Sequence, residues 1–193
     1  MSIKCKVKYI LAAALVIIAS VMIFRTILFS YRKSNEEFNF VFNYGVELDN
    51  SIIERLLTSD GKSELNTIKR TYTKDLVKDG KATTKLKLSE EEMEQVLKFI
   101  LKEDVLNYPE EIKKYHLNAY PQWASRLTIY YKGEKKTVKW LYVPDVLLDK
   151  IENVKEEDKK RYKALEELSN MIINFIIEKE EYKKLPKENG AYL

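Results

Sequence analysis

The run from Tyr9 to Phe29 constrains this chain more than anything after it, because up to Phe24 it carries no charge. A helix rises about 1.5 Å per residue, so the charge-free part from Tyr9 reaches roughly 24 Å, short of the ~30 Å hydrocarbon core of a bilayer. Carried on through Arg25 to Tyr31 the helix reaches roughly 34 Å, with an arginine stem long enough to snorkel to the headgroups. The run is therefore read as one transmembrane helix over about 9–31. A short basic head over 1–8 precedes it, and a juxtamembrane linker over 32–37 leads to a single domain over 38–193.

Lys4, Lys6 and Lys8 would also suit a secretory signal peptide. No small-x-small cleavage pattern follows Ser20, however, and the only cysteine, Cys5, precedes the apolar run, so an uncleaved signal-anchor is expected. Arg25, Arg32 and Lys33 nearly balance the head. A short basic head commonly stays inside, which places the carboxy-terminal domain outside the cytoplasm. The expected location is the cell membrane, single-pass, with the lipid bilayer as the first partner.

The net charge of +4 misleads, since Lys4, Lys6, Lys8, Arg25, Arg32 and Lys33 all flank or enter that run. Without those six, the 34 basic residues fall short of the 30 acidic ones by about two. Nucleic acid is therefore not an expected partner, because its binders carry a basic surplus in the domain itself. One cysteine ahead of the run leaves the domain without an internal disulfide. No Asn-x-Ser/Thr sequon occurs.

Phe38, Phe40, Phe42 and Tyr44 alternate with polar or smaller residues, the period of a strand with one aromatic face buried. Gly45 is read as its end, residues 47–61 as a mixed segment with a short helix near Ile52 and Leu56, and Asp60-Gly61 as a turn. Leu65 to Leu76 reads as one strand, Asp79-Gly80 as a hairpin turn and Thr83 to Leu88 as the return strand. Ser89 with Glu92 is a capping box, and Met93, Val96, Leu97, Ile100 and Leu101 follow helical spacing behind it. Arg126 to Tyr131 and Thr137 to Tyr142 form a second hairpin, and a long helix from about Val154 to Glu181 carries Leu165, Leu168, Ile172, Phe175 and Ile176 on one stripe. The fold class is α+β: an N-terminal transmembrane helix, then a two-layer sandwich of a mainly antiparallel sheet with helices on one face.

The residue types exclude several chemistries. His116 is the only histidine and no Gly-x-Ser-x-Gly elbow accompanies it, so no catalytic residue is assigned. One histidine and one cysteine cannot build a zinc site. Asp75 to Gly80 imitates the start of a calcium loop, but Val77 and Leu86 stand where oxygen ligands are required, so no metal and no cofactor are expected. Trp123, Tyr130, Tyr131, Trp140 and Tyr142 cluster around the second hairpin. Trp123 and Tyr130 are the expected ligand-contacting aromatics, because Tyr130 runs out of phase with Leu127, Ile129 and Tyr131.

Several phrases resemble a group of uncharacterised membrane- or lipid-anchored envelope proteins of spore-forming, Bacillus-like Firmicutes. They are Tyr44-Gly45, Glu64 to Thr67, Thr71 to Asp75, Thr83 to Glu91, Tyr108-Pro109, Glu181 to Pro186 and Gly190 to Leu193. The resemblance implies no activity, and the chain departs from lipid-anchored members in having no cysteine after its apolar run. Taken together, the expectation is an extracytoplasmic binding or interaction module whose partner is another envelope protein or a wall polymer. The alternatives are a wall-acting hydrolase using Asp/Glu carboxylates, or a regulatory domain facing the cytoplasm.

Overall fold

A computed structural model describes residues 17, 20–22, 25, 38–47, 62–112, 122–144 and 154–192. The chain divides into two compact units, Met1–Glu37 and Phe38–Leu193. The expected short helix near Ile52, the Asp60-Gly61 turn, Cys5 and His116 lie outside the described residues.

Among its described residues unit two has six strands: β1 (Asn39–Glu47), β2 (Lys62–Asn66), β3 (Thr71–Asp75), β4 (Lys81–Lys85), β5 (Gln122–Tyr131) and β6 (Glu134–Leu141). They form one antiparallel sheet in the order β4-β3-β2-β1-β5-β6. Helix α1 (Glu90–Lys102) follows β4, while α2 (Glu156–Glu178) and the short α3 (Glu180–Lys183) follow β6.

The alternation in β1 decides which face is which. Phe40 and Phe42 are fully buried, and their partners Ile129 and Leu127 on β5 and Leu65 on β2 share that face. Val96, Leu97 and Ile100 of α1 and Leu165, Leu168, Ile172 and Ile176 of α2 complete the same apolar core. The opposite face carries Asn39, Asn43, Glu64, Thr73, Arg126 and Thr128, none of them buried. Asn43 donates to Glu64 at 3.0 Å and Thr73 bonds Thr83 at 2.9 Å, so polar side chains there satisfy one another across strands.

Local chemistry sets the boundaries. Ser89 Oγ accepts from the Glu92 N–H at 3.2 Å while Glu92 Oε2 accepts from the Ser89 N–H at 2.6 Å, the reciprocal cap that starts α1. Lys132 and Gly133 both adopt positive φ (50° and 80°), the requirement of a two-residue hairpin turn between right-twisted strands. The stretch from Leu65 to Leu76, expected as one strand, is two: it reverses through residues 67–70, where Arg70 takes φ 55°. Gly45 does not end β1, which continues to Glu47 along β5.

The two borders of the sheet differ. Beyond β6 the segment 110–112 pairs with the strand, Ile112 N–H donating to Lys139 O at 2.9 Å and Lys139 N–H to Glu110 O at 2.8 Å. Strand β4 forms the other border, where Lys81, Thr83 and Lys85 are exposed.

The expected transmembrane helix is corrected. No helix among the described residues is long and apolar enough to cross a membrane. Helix α2, at about 1.5 Å per residue, has the length, but Glu156 to Arg161 places six consecutive charges at its start. Within 9–31, the described Ile17, Ser20, Val21, Met22 and Arg25 are helical and exposed, and Arg25 interrupts an apolar run already too short to span alone. The rest of that stretch lies outside the described residues. The signal-anchor and the single-pass cell-membrane location, which rested on that helix, fall with it.

Candidate functional site

Between the sheet face and α2, at the Tyr44–Val46 end of β1, two adjoining chambers open. They measure about 390 and 420 Å³, inside the roughly 300–1,000 Å³ span of ligand sites. Tyr44, Gly45, Trp123 and Ile173 line both.

Register places the aromatics. Trp123 pairs with Val46 and Ser125 with both Tyr44 and Trp140, so these side chains share the core face of three adjacent strands. Trp140 is 5 % exposed and stacks on Phe42 at 6.3 Å. Trp123 lies nearer the start of β5 and is 51 % exposed. The first chamber is closed on its helix side by Glu166, Ser169 and Asn170 of α2, with Tyr142 at its mouth.

The second chamber reaches toward β2 and β3. The Tyr44 and Tyr72 hydroxyls stand 2.7 Å apart, and Ser63 also bonds Tyr72. Burial first, and then the neighbouring phenols and the Glu188 carboxylate, hold the Tyr44 hydroxyl far above the ordinary tyrosine range. Burial is also the main cause that raises Tyr72. Both therefore remain neutral hydrogen-bonding groups across the physiological range.

The carboxy-terminal tail forms the remaining wall. Asn189 bridges to Val77, its N–H donating to Leu76 O at 3.2 Å and its carbonyl accepting from Lys78 N–H at 3.3 Å. Tyr192 donates to Asp75 Oδ2, and Val77 N–H donates to Asp75 Oδ1 at 3.3 Å. Val77 holds φ 64°, strained for a β-branched residue. Behind this wall Lys74 donates to Pro186 O at 3.2 Å, pairs with Glu188 at 3.4 Å and lies 5.2 Å from the centre of the Tyr182 ring.

The two expected contact aromatics are not brought together. Trp123 lines both chambers, whereas Tyr130, an odd number of residues along the same strand, points to the polar face beside Asn39 and Lys135. Tyr44, Tyr72, Tyr182, Tyr192 and Asp75 were not foreseen at a site. The one available signal was that β1 places Tyr44 in phase with its buried phenylalanines, putting a hydroxyl where a core side chain belongs. The false start of a calcium loop is a hairpin connection, with Leu76 N–H donating to Gly80 O at 2.8 Å. Among the described residues no cluster of three His, Cys, Asp or Glu is placed to hold a metal ion.

No protein-family model matches the chain, and no curated protein sequence matches it.

Proposed function

We propose that the domain over 38–193 is a recognition module whose ligand seats in the aromatic cleft beside Trp123. The observation that carries this reading is the half-exposed Trp123 indole forming a wall common to both chambers, with neutral phenols behind it. A large apolar ring left in water at the rim of a concave site gains from being covered, and the hydroxyls supply orientation.

Both tryptophans of the chain line the first chamber, so its occupancy is visible in their emission. Full-length protein titrated with cellotriose, with an N-acetylglucosamine trimer and with choline is expected to show a saturable emission change with at least one of them. The trimer tests the wall-polymer partner. Trp123→Ala, folded by circular dichroism, is expected to weaken that binding at least tenfold by calorimetry. Silence with all three compounds, or undiminished binding by Trp123→Ala, would overturn the reading.

A further inference from the structure

We infer that the ligand of this cleft is an uncharged polyhydroxylated chain, a saccharide with a ring in each chamber. The inference rests on the reading that the cleft is a ligand seat, and adds the chemical class of what sits there.

The second chamber holds a chain of hydroxyls whose direction is not fixed. The Asp75 N–H donates to Ser63 Oγ at 3.1 Å, Ser63 bonds the Tyr72 hydroxyl, and the Tyr72 and Tyr44 hydroxyls stand 2.7 Å apart, where either can be the donor. Each hydroxyl has one proton to give and lone pairs that receive. With the protons pointing from Ser63 toward Tyr44, the Tyr44 O–H is left to donate. With the order reversed, the Tyr44 oxygen is left to accept. Tyr44 ends the chain and lines both chambers. A sugar hydroxyl, itself donor and acceptor, is met in either sense, whereas an ammonium group only donates and a carboxylate only accepts.

The first chamber supplies the other half of what a sugar presents. A pyranose ring has a face of C–H groups and a rim of hydroxyls. The half-exposed Trp123 indole offers a flat apolar surface for the face, and Ser125, Ser169 and Asn170 offer polar groups for the rim. Ser169 donates its proton to Leu165 O at 2.7 Å, so its lone pairs are the part that serves a ligand. Because the chambers adjoin along Tyr44, Gly45, Trp123 and Ile173, a linear chain runs from one into the other. Charges around the cleft come in both signs: Lys74 pairs with Glu188, Lys163 shares a neighbouring groove with Glu166, and the Lys78 stem lies against Gly190. Selection by hydroxyls needs no surplus of either sign.

The test is calorimetry on the full chain with cellotriose, with the N-acetylglucosamine trimer, with the per-O-methylated form of each, and with choline. Methylation keeps the ring faces and oxygen lone pairs but removes every hydroxyl proton. The expected result is saturable binding of at least one trisaccharide, at least tenfold tighter than its methylated form. That affinity should change less than twofold between 20 and about 500 mM salt, since no ionic attraction is screened. Tyr44→Phe, folded by circular dichroism, should weaken it about fivefold, the loss of one neutral hydrogen bond. Equal affinity for a trisaccharide and its methylated form, undiminished binding by folded Tyr44→Phe, or binding of choline alone overturns the saccharide inference and leaves the recognition module standing. The methylation comparison uses the unmutated chain, so the inference stays open to refutation even if Tyr44→Phe does not fold. No saturable binding in any arm overturns both.

Discussion

Replacing Glu92 by glutamine tests how the two helices are tied. One Glu92 oxygen accepts the Ser89 N–H at 2.6 Å, and Lys179, at the break between α2 and α3, donates to both oxygens at 2.6 and 2.7 Å. Glutamine keeps an oxygen for the cap but removes the charge that Lys179 meets. The two side chains are only 22 % and 16 % exposed, so the pair lies between a surface ion pair, worth about 0–1 kcal/mol, and a shielded charged hydrogen bond at about 1.5–3. Glu92→Gln should therefore destabilise by about 1.5–2 kcal/mol, or roughly 3–8 °C in Tm for a domain of this size. A double-mutant cycle with Lys179→Met, followed by urea denaturation, isolates the pair, with an expected coupling of about 1 kcal/mol or more. Coupling below ~0.3 kcal/mol, the scatter of independent sites, would refute the view that this contact pins α2 to the start of α1.

Further outcomes are expected from the same structure. Ser89→Ala should cost about 0.5–2 kcal/mol, read in the same denaturation assay. Because burial raises Tyr44 and Tyr72 above the unfolded value of 10.0, the folded state holds more protons than the unfolded chain at alkaline pH. Their stability is fully present below pH 10 and declines as pH climbs past it, by up to about 1.4 kcal/mol per pH unit per tyrosine. Tyr44→Phe should make that alkaline decline shallower in denaturant titrations. Trp140→Ala, in the core, should cost about 3–5 kcal/mol, whereas the half-exposed Trp123→Ala should stay within about 1. Gly133→Ala meets no atom within 4 Å, so its penalty is that of φ +80° alone, about 1–2 kcal/mol by thermal melting.

The parts of this fold legible in the sequence are those where one short segment determines its own state. Phe38 to Tyr44 announces a strand by period, and Ser89 with Glu92 announces a helix start by local hydrogen bonding. The reversal at 67–70 was hidden because Arg70 adopts a left-handed conformation without glycine to mark it. The anchor was misread because an apolar run near the right length was completed through Arg25. The cleft was only partly legible: Trp123 could be singled out, but Tyr72, Asp75 and Tyr192 converge on it from β3 and from the end of the chain. Such convergence is a property of the sheet order and leaves no spacing to read.

The contrasting borders of the sheet bear on how the protein behaves in a crowded solution. A raw strand border is an invitation for another chain to zip on and begin a fibre. On one side the backbone around Lys139 is already engaged by residues 110–112, and on the other an incoming strand would have to lie against the exposed ammonium groups of Lys81 and Lys85. Concentrated stocks should therefore stay free of ordered aggregates, and neutralising those two lysines is the change that would lower the barrier.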